Sequence, residues 1–247
     1  MSYSAPNILR SIVLSGVIGC GSLSASHAAM VFYMPFDEEG QYSLENFGSA
    51  GGAATTTGSG SVSTTSVPNG LGSTYSQKIS GYGTGVILPN SADKFRLDTA
   101  GQLMTLSTWI YLDSATYDWF GVAGIADASG GWSVGITPNP SSTPGKVRLV
   151  MNGLGNRLSV DTVPLQSWVH LTMTWNTTQN APLALYLNGV NMGLDQAGAP
   201  KLFISSTSPI SLLASVKATV LDDYAMWDTI LGPVSYTHLT LPTKRIV

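Results

Sequence analysis

Apolar and polar residues alternate in short runs along most of this chain, and the clearest alternation lies in residues 168–189. There the run WVHLTMTW and the later run LALYL each place apolar side chains at every second position, which is the period of a β-strand with one buried face. The second run ends at Asn188-Gly189, a pair that accepts the positive φ angles of a type I′ turn. Because such a hairpin leaves one apolar face uncovered, the pattern predicts a second layer and hence a larger β-sandwich.

Other short alternating runs predict the remaining strands, and no segment keeps a helical period over a useful length. Residues 48–72 consist mainly of Gly, Ser and Thr, so we expect a loop or a ragged sheet edge there. No internal repeat is visible. The expected fold class is therefore all-β. The predicted strands cover residues 30–36, 78–89, 104–112, 119–126, 132–136, 147–151 and 220–227.

Residues 1–28 have the pattern of a secretory signal peptide. Arg10 supplies a positive charge, the apolar run after it is too short for a permanent transmembrane helix, and Ser26 and Ala28 fit the small-x-small cleavage rule. The alternative is a lipoprotein signal that ends before Cys20, which would then be lipidated. Cys20 is the one cysteine of the sequence, so in either case we expect the mature domain to fold without a disulfide.

The C-terminal end does not resemble the rest of the chain. Residues 234–243 read VSYTHLTLPT, which is the translation of a transposon-derived sequencing adapter. We therefore interpret residues 234–247 as an adapter-derived, non-native tail and expect native sequence to stop near Pro233. The alternative is a genuine final strand. Residues 30–233 are enough for one large sandwich, which we expect to be truncated at its C-terminus.

Charge narrows the range of partners. The chain has 14 acidic and 11 basic residues, and three of the basic residues, Arg10, Lys244 and Arg245, lie in the two ends set aside above. Residues 30–233 contain no basic run, so nucleic acid and anionic membrane surfaces are poor candidates as partners. Few charges with abundant Ser, Thr and Gly are typical of an exported β protein.

Four stretches resemble the laminin-G-like jelly rolls of the concanavalin A-like lectin and glucanase superfamily. They follow the family's order and span nearly all of residues 30–233. The resemblance implies a two-sheet antiparallel jelly-roll β-sandwich, in a superfamily that contains lectins, enzymes and adhesion modules. The four stretches are FDEEG at 36–40, MTLSTWIYL at 104–112, the hairpin core from WVHL at 168–171 to LYLNGV at 185–190, and LDDYAMWDTIL at 221–231.

Enzymes of this superfamily provide a test for catalysis. The glucanases use two glutamates close together on one central strand, whereas Glu38, Glu39 and Glu45 all precede the Gly-rich segment here. Asp222 and Asp223 are adjacent, so we expect their side chains to point to opposite faces of a strand. We therefore predict no catalytic residues and no enzyme activity. The alternative is a glycoside hydrolase or lyase with a non-standard carboxylate pair.

The sequence offers few residues for nucleophilic or metal-dependent catalysis. Once both ends are set aside, His170 is the one histidine and no cysteine remains. A Ser-His-Asp triad would need His170, and a zinc ion would lack ligands. We expect His170 to fill a position in the sheet, as its counterpart does in laminin-G-like domains.

Calcium is the one cofactor that the resemblance implies. In the superfamily a structural Ca²⁺ is often held by oxygens of the first strand and by an aspartate of the last strand. Asp37 with Glu38 and Asp222 match those positions. Backbone carbonyls and water would supply most of the roughly six to eight oxygens that Ca²⁺ needs. The alternative is that Asp37 and Asp222 cap strand ends and accept backbone hydrogen bonds.

Aromatic side chains are the candidates for sugar binding, because a pyranose offers an apolar face and a rim of hydroxyls. Trp109 and Tyr111 lie on the strand face opposite Leu106 and Ile110, and the alternative role for both is cross-strand packing. We assign ligand binding to Trp109, Tyr111, Tyr117, Asp118 and Trp119, and packing to Trp132, Trp168, Trp175 and Trp227.

The sequence is thus predicted to encode an exported, non-catalytic binding module that recognises a glycan or a protein at a bacterial cell surface. The mature protein is expected to be secreted, periplasmic or on the cell surface, with no membrane insertion after signal cleavage. A structural spacer of a larger surface protein is a further alternative. No oligomeric state is predicted.

Overall fold

A computed structural model of the chain shows strands in each part of the predicted domain. The segments 1–28 and 234–247, interpreted above as a signal peptide and an adapter-derived tail, lie outside the described residues. No helix within the described stretches is long and apolar enough to cross a lipid bilayer. The structure describes residues 29–38, 44–58, 61–70, 72–79, 85–112, 120–125, 130–138, 141–151, 154–180, 182–195, 201–213 and 219–232.

The described part of the chain contains 15 strands. Along the chain they are β1 Met30–Met34, β2 Thr55–Thr57, β3 Ser61–Thr64, β4 Ser76–Ile79, β5 Gly85–Ile87, β6 Leu103–Leu112, β7 Phe120–Gly124, β8 Trp132–Ile136, β9 Lys146–Met151, β10 Gly155–Thr162, β11 Trp168–Asn176, β12 Leu183–Leu187, β13 Val190–Asn191, β14 Ser211–Leu213 and β15 Thr219–Trp227.

These strands form two antiparallel sheets, so the predicted two-sheet sandwich is confirmed. The larger sheet has the order β13-β12-β11-β6-β15-β4-β3, and β1 also pairs with β15. The smaller sheet has the order β10-β9-β8-β7-β14-β5-β2. The edge strands β2 and β3 come from the Gly-, Ser- and Thr-rich segment, which therefore forms the ragged edges that the sequence predicted.

The hairpin that the sequence predicted is also present. β11 pairs with β12 on one side and with β6 on the other. Asn188 and Gly189 join β12 to β13 with φ angles of 49° and 79°, as a type I′ turn requires. The Asn188 side chain accepts a hydrogen bond from the His170 backbone N–H at 2.8 Å, which fixes the turn against β11.

One hydrophobic core lies between the sheets, and the alternation of each strand decides which side chains enter it. In β6, Leu106 and Ile110 are fully buried, whereas Trp109 and Tyr111 are half-buried on the opposite face. We call that opposite side of the larger sheet its outer face. The alternation of the sequence therefore predicted correctly which face of β6 carries the candidate binding residues.

Two of the tryptophans assigned to packing are fully buried in the core. The indole N–H of Trp132 donates to the carbonyl of Phe95 at 2.9 Å, and that of Trp175 donates to the carbonyl of Lys201 at 3.1 Å. The Trp175 ring also contacts Phe203, with centroids 4.5 Å apart. Because each indole N–H has an acceptor, both rings can be buried without the cost of an unpaired donor.

One edge of β15 pairs with two different strands along its length. This edge pairs with β4 through residues 219–221 and with β1 through residues 224–227, while the opposite edge pairs with β6. A β-bulge lies between these two halves, with Asp223 at a φ of 47°. The bulge therefore places two aspartates where β4 and β1 meet.

Candidate functional site

Three aromatic side chains lie together on the outer face of the larger sheet. Trp109 and Tyr111 come from β6, and Trp168 comes from β11. In the strand register Trp168 lies opposite Tyr111, and Trp109 lies opposite His170. The ring centroids of Tyr111 and Trp168 are 5.6 Å apart, with the planes tilted by 44°. The two strands thus build a block of half-exposed rings.

This block forms the floor of a cleft of about 710 Å³, which we call the aromatic cleft. Its walls come from the loop that follows β3 and from the two residues that precede β11. No charged residue is present in the described part of the lining. A cleft of this size is within the range of small-molecule sites in proteins. The lining consists of Thr65, Ser66, Val67, Asn69, Trp109, Tyr111, Gln166, Ser167 and Trp168.

Hydrogen bonds hold both walls against the sheet. The Ser76 hydroxyl of β4 donates to the backbone carbonyl of Ser66, which ties the first wall to the strand beneath it. On the second wall, the backbone N–H of Gln166 donates to the carbonyl of Leu112 at 2.9 Å. Gln166 has a φ of 52°, a left-handed conformation that turns the chain back toward β11.

The structure includes only some of the predicted ligand-binding residues. It brings Trp109 and Tyr111 together in the cleft, whereas Tyr117, Asp118 and Trp119 lie outside the described residues. Trp168, which the sequence analysis assigned to packing, is half-buried and lines the cleft. The signal that could have found it is the two-residue period of β11. Trp168 lies on the same strand face as His170, opposite the face that Val169 directs into the core.

His170 makes a polar contact on the outer face of the larger sheet. Its Nε2 atom lies 2.7 Å from the Ser107 hydroxyl, and its ring lies 5.3 Å from the Trp109 ring. Burial lowers the pKa of His170 to about 4, so the ring is neutral at pH 7. Both Ser107 and His170 are buried, and no carboxylate bonds the imidazole among the described residues. His170 thus occupies a sheet position, as the sequence predicted.

A group of acidic residues lies at the point along β15 where its pairing with β4 ends and its pairing with β1 begins. The Tyr33 hydroxyl of β1 donates to Asp223 at 3.1 Å, and the backbone N–H of Asp223 donates to Asp222 at 2.9 Å. Asp37 accepts from the backbone N–H of Thr74 at 3.3 Å. We call Asp37, Asp222 and Asp223 the acidic group.

Burial changes the protonation of this group. Burial, with the charge of Asp223 as the next cause, raises the pKa of Asp222 to about 9. Burial likewise raises the pKa of Asp223 to about 6, although the Tyr33 hydrogen bond lowers it. The charge of Asp37 also raises the pKa of both carboxyls. Asp222 lies in register with Trp109 of the outer face, and Asp223 accepts from Tyr33, whose partner Ala225 lies opposite Ser107 of the same face. The expectation that Asp222 and Asp223 point to opposite faces was therefore wrong, because the bulge interrupts the alternation.

The acidic group fits a cation in one respect. Asp222 is fully buried, and its Oδ2 atom has no hydrogen-bond partner. A bound cation would satisfy such an oxygen. In the predicted set of Asp37, Glu38 and Asp222, however, Asp37 and Glu38 are exposed. The described residues contain no group of three or more acidic, histidine or cysteine side chains arranged to hold a metal ion. Backbone or water oxygens would have to complete the site, and calcium stays a prediction.

The fold and the comparisons agree on the class of this chain. Two packed antiparallel sheets define a jelly-roll β-sandwich. A laminin-G family model, described as concanavalin A-like lectin/glucanases superfamily, matches residues 80–233, more than half of the chain. The chain therefore belongs to the concanavalin A-like lectin/glucanase superfamily. A comparison with curated protein sequences finds no match.

Solved structures share this fold at low sequence identity. Domain 4 of AbnA, a GH43 extracellular arabinanase from Geobacillus stearothermophilus solved in complex with arabinotriose, matches with a TM-score of 0.64 and 16% identity over 86% of this chain and 98% of that chain. A structure of botulinum neurotoxin type C, whose cell entry is described as dependent upon interaction with two ganglioside molecules, matches with a TM-score of 0.61 and 12% identity. The match covers 86% of this chain and 50% of that chain.

A third structure is the binding domain of botulinum neurotoxin DC in complex with rat synaptotagmin II. It matches with a TM-score of 0.60 and 12% identity over 86% of this chain and 51% of that chain. The chain thus spans about half the length of the two toxin chains. Likeness at this identity shows the fold alone.

Proposed function

We propose that the protein is an exported, non-catalytic binding module that holds a glycan or protein partner in the aromatic cleft. The observation that carries the proposal is the block of half-exposed rings of Trp109, Tyr111 and Trp168 under walls of mainly uncharged polar residues. Half-exposed rings keep apolar area free for a partner. Tyr117, Asp118 and Trp119 stay predicted contacts of the same partner.

The similar structures support a binding role in general. The arabinanase domain was solved with arabinotriose, and the botulinum neurotoxin DC domain was solved with synaptotagmin II. The leader-like pattern of residues 1–28 supports export to the periplasm, the cell surface or the medium.

A structural Ca²⁺ is part of the proposal. Asp37, Glu38 and Asp222 would be its side-chain ligands, and Asp223 lies beside them. The ion would neutralise the buried Asp222 carboxylate and connect the first strand region with β15.

A glycoside hydrolase or lyase is the second candidate. Asp222 lies in register with Trp109, and the pKa values of Asp222 and Asp223 differ, at about 9 and about 6, as in an acid and base pair. Asp222 is fully buried, however, and cannot meet a substrate in this conformation. Release of reducing sugar from a bound glycan, lost in Asp223→Asn, would favour the enzyme.

The test is a binding screen against immobilised glycans and bacterial surface proteins with the purified chain. We expect Trp109→Ala and Trp168→Ala to lose binding, whereas Tyr186→Ala keeps it. Tyr186 is a matched control, because it is a half-buried aromatic residue of the same sheet that lies outside the cleft. Binding that all three variants retain would contradict a role for the cleft and favour the spacer alternative.

A further inference from the structure

We infer that the aromatic cleft takes an uncharged carbohydrate. The inference rests on the binding function proposed above and names the chemical class of the ligand. Three features of the cleft carry it: the tilt of the rings, the chemistry of the walls and the absence of a charged side chain from the described lining.

The rings of the floor are not arranged for a flat ligand. The planes of Tyr111 and Trp168 are tilted by 44°, so a planar molecule cannot lie flat on both rings at once. A sugar ring is puckered and presents C–H groups on one face, and it can lie on one ring while the next sugar contacts the other. The floor therefore fits a short saccharide better than a nucleobase.

The walls offer groups that both donate and accept hydrogen bonds. The hydroxyls of Thr65, Ser66 and Ser167 and the amides of Asn69 and Gln166 belong to the lining. A sugar hydroxyl also donates and accepts, so it can pair with each of these groups without any net charge.

The described part of the cleft offers no cation to pair with an anion. Lys78 occupies the same row as Tyr111, but Val220 of β15 lies between them and Lys78 is not part of the lining. A uronic or sialic acid would thus lose hydration in the cleft without gaining an ion pair to a described residue. An uncharged sugar does not have this cost.

The decisive experiment changes the charge of one wall. Gln166 is exposed and lines the cleft, so Gln166→Glu and Gln166→Lys place opposite charges at the same position. The chain and both variants are titrated with neutral arabinan, xylan, mannan and β-glucan oligosaccharides, with polygalacturonate and sialyllactose as anionic probes, and with the surface proteins of the screen.

For a neutral oligosaccharide we expect both variants to weaken binding by a similar factor of about 2 to 10, since Glu loses the amide donor and Lys loses the amide acceptor. The affinity of the unchanged chain should vary less than about twofold between 50 and 500 mM salt. Trp168→Ala should weaken binding at least about tenfold.

The outcomes separate the two proposals. Binding of an anionic probe or a protein that Trp109→Ala abolishes, with Gln166→Lys stronger than Gln166→Glu for the anion, would overturn the neutral-sugar inference and keep the binding function. Absence of any binding, or binding insensitive to Trp109→Ala and Trp168→Ala, would overturn both. Circular dichroism of each variant distinguishes loss of binding from loss of folding.

Discussion

Tyr111 of β6 and Trp168 of β11 lie directly opposite one another in the larger sheet, with ring centroids 5.6 Å apart. Both rings are half-buried, so each covers part of the other. Cross-strand aromatic pairs of this kind stabilise the contact between two strands. The same two rings form part of the floor of the aromatic cleft, so under the proposed function stability and binding would depend on one pair of side chains.

We expect the Tyr111 and Trp168 rings to be energetically coupled. A double-mutant cycle with Tyr111→Ala and Trp168→Ala should give a favourable coupling of about 0.5–1.5 kcal/mol in urea unfolding. As a control, Trp168→Ala and Tyr186→Ala should be additive within about 0.5 kcal/mol, because Tyr186 lies on β12 opposite Thr172. Additive effects of Tyr111→Ala and Trp168→Ala would show that the rings do not support each other.

His170 should make the fold sensitive to acid. Its pKa is lowered to about 4 in the folded protein, so between pH 6.5 and 4 the unfolded chain binds a proton that the folded chain does not. Stability from this group is complete above pH 6.5 and falls by up to about 3 kcal/mol as the pH drops to 4. Carboxyl groups titrate in the same range, so the comparison is with His170→Gln, which should lack this part of the loss. Parallel pH profiles of the two proteins would contradict the prediction.

Alternation along the strands was enough to predict the two sheets and the face of β6 that carries Trp109 and Tyr111. It was not enough for Asp222 and Asp223. Their common orientation depends on the bulge between the part of β15 that pairs with β4 and the part that pairs with β1. This change of partner strand depends on tertiary pairing between distant segments. A two-residue period read from the local sequence contains no information about such a change.

The walls of the cleft could not be predicted from the sequence either. The loop from Thr65 to Asn69 is part of a Gly-, Ser- and Thr-rich segment with little apolar pattern, and its place over the sheet depends on contacts such as that of Ser66 with Ser76. Trp168 was assigned to packing because aromatic residues in strands usually pack. Its partial exposure depends on which loops cover the sheet. The roles of Tyr117, Asp118 and Trp119 stay predictions.

At Gly48 the fold leaves no room for a side chain. A Cβ atom at this position would lie 2.3 Å from the backbone carbonyl oxygen of Val31, and a backbone group cannot rotate away. Gly48→Ala should therefore destabilise the protein by about 1–3 kcal/mol in urea unfolding. Gly232→Ala is the control, because a Cβ there meets nothing within 4 Å. An unchanged midpoint for Gly48→Ala would mean that this segment does not pack on β1 in solution.

Calcium should raise the melting temperature of the protein through the acidic group. Extracellular modules bind Ca²⁺ with Kd values of about 10⁻⁴–10⁻³ M, so 10 mM CaCl₂ should stabilise the fold by about 1.4–2.7 kcal/mol relative to EDTA. For a chain of this size that is a rise in Tm of roughly 3–10 °C. Differential scanning fluorimetry measures it directly.

Asp222→Asn distinguishes a calcium ligand from a buried acid. Without a cation, burial holds the pKa of Asp222 near 9, so the group is neutral at pH 7 and an amide of the same shape should change stability in EDTA by less than about 1 kcal/mol. With a cation, the variant loses a charged ligand, and we expect the rise in Tm with calcium to disappear. Asp161→Asn removes an exposed carboxylate elsewhere and should keep the full rise. If the unchanged chain shows no rise in Tm at 10 mM CaCl₂, Asp222 is a neutral buried acid that caps the bulge, and the proposed ion is absent.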